Sequence, residues 1–285
     1  MTVDVEDYFH VSNFEHLVAR ESWTTRESRV EANTDRLLEL FAAAGIKATF
    51  FVLAWVAERS PALVARIGAA GHELASHGYA HRQIHDQSRE AFRDDVRRAR
   101  AIIEDAAGQP VGGYRAPSFT VTRRTLWALD VLVEEGYTYD SSIFPIHHDR
   151  YGIPDADRHA FVVSTPAGRL VEVPASTVRL AGTNFPIGGG GYFRLLPFWW
   201  TTWGIARVNH VEGRPTVFYL HPWEIDPDQP RLSAPLTARI RHYRNLHRTE
   251  SRLTALMRRF EFGTMAQLIA AVELAAPQSP SLVRA

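Results

Sequence analysis

Short segments rich in β-branched and aromatic residues alternate along this chain with amphipathic helical segments. Residues 47–52 form the clearest strand pattern, and residues 88–107 form the clearest helix pattern, with apolar side chains on one face. Strands separated by helices pair in parallel, because a parallel connection needs a crossover of that length. With 285 residues, 45% of them hydrophobic, the chain can bury one large core. We therefore predict a parallel α/β fold in a single domain.

The predicted elements extend over nearly the whole chain. A loop-rich stretch interrupts them at about residues 145–192, and its glycine run at 188–191 is interpreted as a flexible loop near the site. We expect residues 1–226 to form the main domain and residues 227–285 to form a mostly helical extension packed on it. We predict strands at residues 2–6, 47–52, 72–75, 113–116, 137–140, 171–173 and 216–220, and helices at residues 11–20, 33–44, 61–70, 88–107, 122–135 and 264–274.

Two histidines lie just past the predicted strand at residues 72–75. His77 and His81 are four residues apart, and two imidazoles at this spacing can bind one metal ion. A catalytic metal site needs about three protein ligands and an open position. The alternative is that neither has a metal role, since the chain has 13 histidines and His85 repeats the spacing. Because the chain lacks cysteine, a third ligand must be His, Asp or Glu.

Three carboxylates at the end of the first predicted strand offer that third ligand. Asp4 and Glu6 share one face of the strand, and Asp7 lies just past its end. Two carboxylates can therefore enter one site in different roles, one binding metal and the other accepting a proton. The alternative is an exposed acidic strand end or the start of a helix.

The charge of the chain excludes some classes of partner. With 32 acidic and 32 basic residues the formal net charge is zero, without the basic excess typical of proteins that bind nucleic acids or anionic membranes. We expect a neutral or weakly charged small molecule or a glycan as partner. No apolar run is long enough to span a bilayer, and we expect a soluble, cytoplasmic protein.

Five short motifs follow one another in the chain: Asp4/Glu6/Asp7, His77/His81, residues 115–119 (Arg-Ala-Pro-Ser-Phe), 140–142 (Asp-Ser-Ser) and 220–222 (Leu-His-Pro). In order and spacing they resemble the motifs of the polysaccharide deacetylases, the NodB-like enzymes of carbohydrate esterase family four. The opening residues 4–10, the His-Gly-Tyr-Ala-His motif and the glycine run are most similar to the branch associated with exosortase-linked exopolysaccharide loci.

The resemblance implies a distorted (β/α)7-type barrel and a hydrolase that removes N-acetyl groups from a polysaccharide or oligosaccharide. It places such an enzyme in exopolysaccharide or cell-envelope glycan metabolism. A divalent metal would be bound by His77, His81 and either Glu6 or Asp7. The choice stays open because Val5 interrupts the adjacent aspartates of the usual motif. Zinc is the first expectation, and Fe(II), Co(II), Ni(II) and Mn(II) suit the same ligands.

The resemblance further implies the catalytic roles. Asp4 would be the general base, and Arg115 would pair with Asp4 and keep it ionised. His221 would protonate the departing amine, and Asp140 would hold the far nitrogen of the His221 ring. Without the resemblance, Arg115 could equally form a purely structural ion pair, and Asp140 could equally be a helix cap or a turn residue.

Four further residues are expected to bind substrate. A backbone N–H near Ser118 would stabilise the oxyanion, and the side chains of Phe119, Trp223 and Tyr192 would form apolar walls for the sugar. Two alternative functions stay open. The first is an allantoinase-like amidohydrolase of the same fold that acts on a non-sugar amide. The second is a glycan-binding module of the same fold without catalytic activity. The sequence leaves the oligomeric state open.

Overall fold

The computed structural model describes residues 1–271, and a curled sheet of short strands organises this part of the chain. The strands are β1 (Thr2–Val5), β2 (Thr49–Val52), β3 (Glu73–Ser76), β4 (Gly113–Tyr114), β5 (Tyr139–Asp140), β6 (Phe161–Thr165), β7 (Gly168–Glu172), β8 (Thr177–Leu180), β9 (Thr183–Pro186) and β10 (Tyr219–Leu220).

The main sheet has eight strands in the order β10-β1-β2-β3-β4-β5-β7-β6, while β8 and β9 form a separate hairpin. All neighbours in the main sheet are parallel except β6 and β7. Every residue of β1 and β2 is buried, as expected for parallel strands covered on both faces. The predicted parallel α/β architecture, with strands distorted into a barrel-like sheet, is confirmed.

Helices cover the outside of this sheet, and local sequence signals set their ends. The helix predicted at residues 88–107 begins where the Ser88 side chain accepts a hydrogen bond from the Ala91 amide, and it ends at Gly108 with φ of 65°. The α-helices are α1 (Val30–Ala44), α2 (Ala54–Arg59), α3 (Pro61–Ala69), α4 (Arg89–Ala107), α5 (Trp127–Glu134), α6 (Gly190–Leu195), α7 (Phe198–Ala206), α8 (Leu236–Tyr243), α9 (Leu246–Met257) and α10 (Met265–Ala271).

Three parts of the structure differ from the sequence predictions. The stretch predicted as loop-rich at residues 145–192, with one strand at 171–173, contains two hairpins, β6–β7 and β8–β9. Strand β7 overlaps the predicted strand and extends the main sheet beside β5. The helix predicted at residues 11–20 is wrong, because that region forms two 3₁₀ turns, Ser12–Phe14 and Arg20–Thr25. Helices α2, α6 and α7 were not predicted, and the last three residues of the helix predicted at 264–274 lie outside the described part.

The C-terminal helices pack on the sheet domain. Helix α9 contacts α1, α6 and the 3₁₀ turn Pro222–Ile225 that follows β10. The division of the chain at residues 226 and 227 stays a prediction. Within residues 1–271, no helix has both the length and the apolar character that a membrane crossing requires.

Candidate active site and metal centre

The motif residues lie where the parallel strands end. Asp4 lies in β1, while His77, Arg115 and His221 come directly after β3, β4 and β10. Because parallel strands point the same way, their C-terminal ends bring side chains from distant parts of the chain to one edge. All four residues except the half-buried His221 are buried.

Glu6, His77 and His81 form a buried cluster that can hold a metal ion. One ligand atom from each residue lies within 4.8 Å of the others, and Nε2 of His81 is 2.8 Å from Oε2 of Glu6. The Nδ1 atom of His77 is 2.8 Å from the carbonyl oxygen of Arg115, to which it can donate. This bond leaves the lone pair of Nε2 in His77 available for a metal.

The chemistry of these donors fits a divalent metal. Oε2 of Glu6 is buried, and its 2.8 Å contact with Nε2 of His81 does not have the geometry of a hydrogen bond. Burial alone raises the pKa of Glu6, but the imidazoles of His81, His221 and His77 lower it overall, so the carboxylate is ionised. Burial lowers the pKa of His77 to about 4, which keeps that ring neutral. Two imidazoles and a carboxylate suit zinc and other first-row divalent ions.

Asp7 has a different position and different contacts. Its Oδ2 accepts hydrogen bonds from the Ser28 hydroxyl at 3.0 Å and from the amides of Arg29 and Val30 at 2.8 and 3.1 Å. It therefore satisfies free amides at the start of α1. Of the two carboxylates left open by the sequence, the structure brings Glu6 to the histidines and directs Asp7 to the helix.

Asp4 forms a buried ion pair with Arg115. The guanidinium Nη1 is 2.6 Å from Oδ1 of Asp4 and also donates to the Thr2 hydroxyl. Nε and Nη2 of Arg115 donate to the carbonyl and hydroxyl oxygens of Ser141, and Cζ lies 4.0 Å from the Phe51 ring centroid. An arginine held on all sides in this way fixes the Asp4 carboxylate in one orientation.

The imidazole of His221 lies close to the carboxylates of Asp4 and Glu6. Its Nε2 is 3.9 Å from Oδ2 of Asp4 and 3.6 Å from Oε1 of Glu6, while its Nδ1 is 3.0 Å from Oε2 of Glu224. Burial lowers the pKa of His221, but the carboxylates of Glu224, Glu6 and Asp4 outweigh it and raise the pKa to about 9. The imidazole is therefore protonated at neutral pH in the metal-free site.

The prediction that Asp140 holds the His221 ring is not what the structure shows. Oδ1 of Asp140 accepts a 2.5 Å hydrogen bond from Ser142, and the Ser142 hydroxyl accepts one from the Ala116 amide. Asp140 thus supports the loop that follows β4. Glu224, which sequence reasoning missed, takes the predicted place beside His221, and its signal was the spacing of three residues in His-Pro-Trp-Glu.

A cavity of about 430 Å³ opens onto these groups, and its lining includes Ser118, Phe119, Tyr192 and Trp223. Ser118 and Phe119 both have positive φ, 56° and 55°, which marks a constrained turn in the cavity wall. Trp223 is almost fully buried, donates to Glu6 at 3.3 Å and stacks on His221. It supports the metal ligand and the imidazole more than it offers a free face to a sugar.

The glycine run is packed rather than flexible. Gly189 pairs with Tyr219 of β10, and a Cβ atom at Gly189 would lie 1.9 Å from the Tyr219 carbonyl oxygen. The φ of 118° at Gly189 also excludes most other residues. This close approach fixes the end of β10, two residues before His221.

Comparisons with known proteins agree with this geometry. Residues 20–139 match the family model of polysaccharide deacetylase, and residues 141–270 match that of a domain of unknown function (DUF3473). A peptidoglycan deacetylase of Helicobacter pylori is 29% identical over 119 residues, 42% of this chain and 39% of the relative. A peptidoglycan-N-acetylglucosamine deacetylase of Bacillus cereus is 29% identical over 98 residues, 34% of this chain and 36% of the relative. The chain therefore spans less than two fifths of either curated relative.

Solved structures resemble the fold over more of the chain. A protein from Mycobacterium smegmatis, described as a polysaccharide deacetylase, has a TM-score of 0.65 at 20% identity, over 98% of this chain and 91% of that one. The allantoinase Puue has a TM-score of 0.58 at 18% identity, over 84% and 71%. At these identities the likeness concerns the fold.

A curled parallel sheet with two histidines and a carboxylate at its C-terminal edge defines a barrel of the NodB type. Over residues 20–139 the chain carries a polysaccharide deacetylase domain, the NodB-type domain of carbohydrate esterase family four. The match to its model ends at residue 139, so the second half of the cavity lining comes from the segment matched by the domain of unknown function. The placement in the exosortase-associated branch stays a prediction.

Proposed function

We propose that this protein is a metal-dependent hydrolase that removes N-acetyl groups from a polysaccharide or oligosaccharide. One observation carries the proposal: the Glu6/His77/His81 cluster, the ion-paired Asp4 and the imidazole of His221 all line the same cavity. These groups supply a metal site, a proton acceptor and a proton donor within a few ångströms. Amide hydrolysis needs all three.

Glu6, His77 and His81 would hold the divalent metal, which when bound is a Lewis acid that polarises a carbonyl and lowers the pKa of water. We propose zinc, because two imidazoles and one carboxylate with an open position are typical of catalytic zinc sites. Among residues 1–271, no fourth His, Asp or Glu joins the cluster, so a position for water or substrate is left. Fe(II), Co(II), Ni(II) and Mn(II) accept the same donors.

Asp4 would accept the proton of the attacking water. Its Oδ1 is bound to Arg115, whereas Oδ2 faces His221 across 3.9 Å and is available to accept a proton. The ion pair with Arg115 prevents rotation of the Asp4 side chain. A carboxylate held in this way is a general base of fixed direction.

His221 would give a proton to the amine nitrogen as the C–N bond breaks. Nδ1 bonds to Glu224, so the proton on Nε2 points toward Asp4 and Glu6, where the amide must lie. The carboxylates around the ring keep it protonated until the leaving group needs the proton. The oxyanion role of a backbone N–H near Ser118 is part of the same proposal, supported by its position in the cavity wall.

Release of free acetate from N-acetylhexosamine oligomers tests this proposal. We expect turnover with zinc, its loss after chelation and its recovery when metal is restored. Ring opening of allantoin without acetate release would favour the amidohydrolase alternative, for which the Puue structure supplies only a shared fold. Oligosaccharide binding with no turnover at any metal would favour an inert glycan-binding module. We further propose that the glycan belongs to an exopolysaccharide or to the cell envelope.

A further inference from the structure

Two arginines in the lining of the catalytic cavity have no part in the steps above. Arg150 lies in the segment between β5 and β6, and Arg241 lies in α8. Both come from residues 141–270, outside the part matched to the polysaccharide deacetylase model. The two guanidinium groups therefore belong to the segment that matches the domain of unknown function.

Neither guanidinium has a partner among residues 1–271. No carboxylate of that part lies within 4.0 Å of Arg150 or Arg241, and neither side chain donates a hydrogen bond there. Both residues are exposed. Arg194, in the same lining, is by contrast buried and bonded to Glu224 and to backbone carbonyls. Among the described arginines that line this cavity, Arg150 and Arg241 are thus the two whose guanidinium groups are available to a ligand.

The two arginines line the same cavity as the imidazole of His148, and the backbone amide of Arg150 donates to Nδ1 of that ring at 3.2 Å. Burial lowers the pKa of His148, and the charges of Arg150 and Arg241 lower it further against the opposing effect of Asp149. Both charges therefore act on one neutral ring. That ring stacks on Tyr151 with centroids 3.8 Å apart and planes at 12°. An anion bound in this cavity would therefore meet two positive charges and an aromatic surface.

The aromatic pair and Arg150 also connect two cavities. His148, Arg150 and Tyr151 line the catalytic cavity and a neighbouring one of about 1120 Å³. The hydroxyl of Tyr151 is 3.4 Å from that of Tyr192 at the catalytic side. A ligand longer than one sugar can therefore extend from the metal cluster past the arginines, with aromatic faces for its rings.

We propose that the substrate is an acidic N-acetylated glycan, in which Arg150 and Arg241 bind the carboxylate of a sugar adjacent to the one that is deacetylated. The proposal rests on the deacetylase function proposed above. The acidic groups of the cavity lining, Asp4 and Glu6, already face Arg115 and His81, so a substrate carboxylate has no competitor inside the cavity. Arginine forks match carboxylates in charge and in geometry.

The carboxylate can be that of a uronic acid or the lactyl group of a muramic acid. Two substrate pairs distinguish these sources. The first is an oligosaccharide of alternating glucuronic acid and N-acetylglucosamine, with its carboxyl-reduced form. The second is a peptide-free glycan strand of N-acetylglucosamine and N-acetylmuramic acid, with its carboxyl-reduced form. Each pair keeps linkage and length and changes only the charge.

Acetate release measured at low and high salt gives kcat/KM for each member of a pair. For the matching pair we expect the acidic form to exceed the reduced form by about tenfold at low salt, mainly through KM, and by less at high salt. R150Q and R241Q should each lower this ratio, and the double variant should bring it close to one. R239Q removes an equally exposed charge from α8 outside the cavity lining, and it should keep the wild-type ratio.

Calorimetric binding of the same compounds to the metal-loaded protein separates this inference from the deacetylase function. If no acetate is released but the acidic form still binds better and depends on Arg150 and Arg241, the anion site stands and the deacetylase function fails. Equal kcat/KM and equal binding for acidic and reduced forms in both pairs would overturn the anion site. A ratio unchanged in R150Q/R241Q would overturn it as well.

Discussion

Oε2 of Glu224 lies 3.0 Å from Nδ1 of His221, three residues earlier in the chain. The other carboxylate oxygen of Glu224 accepts a 2.6 Å bond from Nε of Arg194, a buried arginine whose remaining donors bond to backbone carbonyls around α8. Burial raises the pKa of Glu224, but Arg194 and His221 lower it to about 2. The carboxylate is therefore ionised and fixed when it supports the imidazole.

We expect Glu224→Gln to lower kcat about 10- to 100-fold, because the ring loses both its orientation and the charge that favours its protonated form. Removing a carboxylate that raises the pKa of His221 lowers that pKa, so the alkaline limb of the pH profile should move to lower pH. Glu224→Asp should restore part of the activity. Asp140→Asn is the matched comparison: an equal shift of the alkaline limb there would return the supporting role to Asp140.

Asp4→Asn tests the general base. The amide keeps the size of the side chain and one contact with Arg115, but it cannot accept the proton of water. We expect kcat to fall roughly 10²- to 10⁴-fold while the metal content stays near one per chain. Metal analysis and thermal melting accompany the kinetics, since the loss leaves the buried Arg115 without its counter-charge. Turnover close to that of the wild type would remove Asp4 from this role.

A pair of variants tests whether Glu6 or Asp7 is the metal ligand. Glu6→Ala should weaken zinc binding at least about 100-fold, because it removes a direct ligand. Asp7→Asn should leave zinc affinity nearly unchanged and lower the free energy of unfolding by about 1–2 kcal/mol, because its bonds to the start of α1 weaken. Competition with a chromophoric chelator measures the affinity, and urea titration measures the stability. The reverse pattern would make Asp7 the ligand.

The sequence was enough to predict which segments lie together at the site, but not the direction of every side chain. The C-terminal ends of parallel strands must lie at one edge, so strand patterns followed by polar residues were enough to bring His77, Arg115 and His221 together. Beyond the end of a strand, the direction in which each side chain points depends on the local turn of the backbone. Glu6 and Asp7 are neighbours, yet one faces the histidines and the other faces α1. The sequence offered no means of choosing between them.

The segment at residues 145–192 shows the same limit at the level of the fold. The strand predicted at residues 171–173 overlaps β7, but β6, β8 and β9 are short, half-exposed strands that the pattern did not indicate. Their position is set by pairing of β7 with β5, a contact made over some thirty residues of chain. Glu172 lies in the strand predicted at residues 171–173, but its burial opposite Asp140 depends on this pairing and was not predicted.

Gly189→Ala tests whether the glycine run fixes the end of β10. The added Cβ would collide with the Tyr219 carbonyl, and the backbone has a φ of 118°. We expect the free energy of unfolding to fall by more than about 3 kcal/mol. Gly182→Ala is the control, because its φ is also positive but nothing lies within 4 Å of the new Cβ, so the cost should be about 1–2 kcal/mol. An equal decrease in the free energy of unfolding in the two variants would show that the collision with the Tyr219 carbonyl does not determine the cost.

Asp140 and Glu172 face each other from β5 and β7 as a buried pair of acids. They are register partners, both are fully buried, and Oδ2 of Asp140 and Oε2 of Glu172 have no hydrogen-bond donor among residues 1–271. Burial raises the pKa of Asp140 to about 6, and burial together with the Asp140 charge raises the pKa of Glu172 well above its usual value. The folded pair therefore holds a proton that the unfolded chain releases.

This proton makes stability depend on pH with a known sign. Both acids have a raised pKa in the folded state, so their contribution is complete below the unfolded values near 4 and declines as pH rises toward the folded ones. Glu172→Gln places an amide donor beside Asp140 at every pH and removes one titrating group. The free energy of unfolding of the wild type should decrease between pH 5 and pH 7. In Glu172→Gln this decrease should be smaller by about 1–2 kcal/mol. Urea titrations at both pH values measure this difference, with Glu21→Gln as an exposed control that keeps the wild-type dependence. A Glu172→Gln curve parallel to the wild type would mean that the pair carries no extra proton in the folded state.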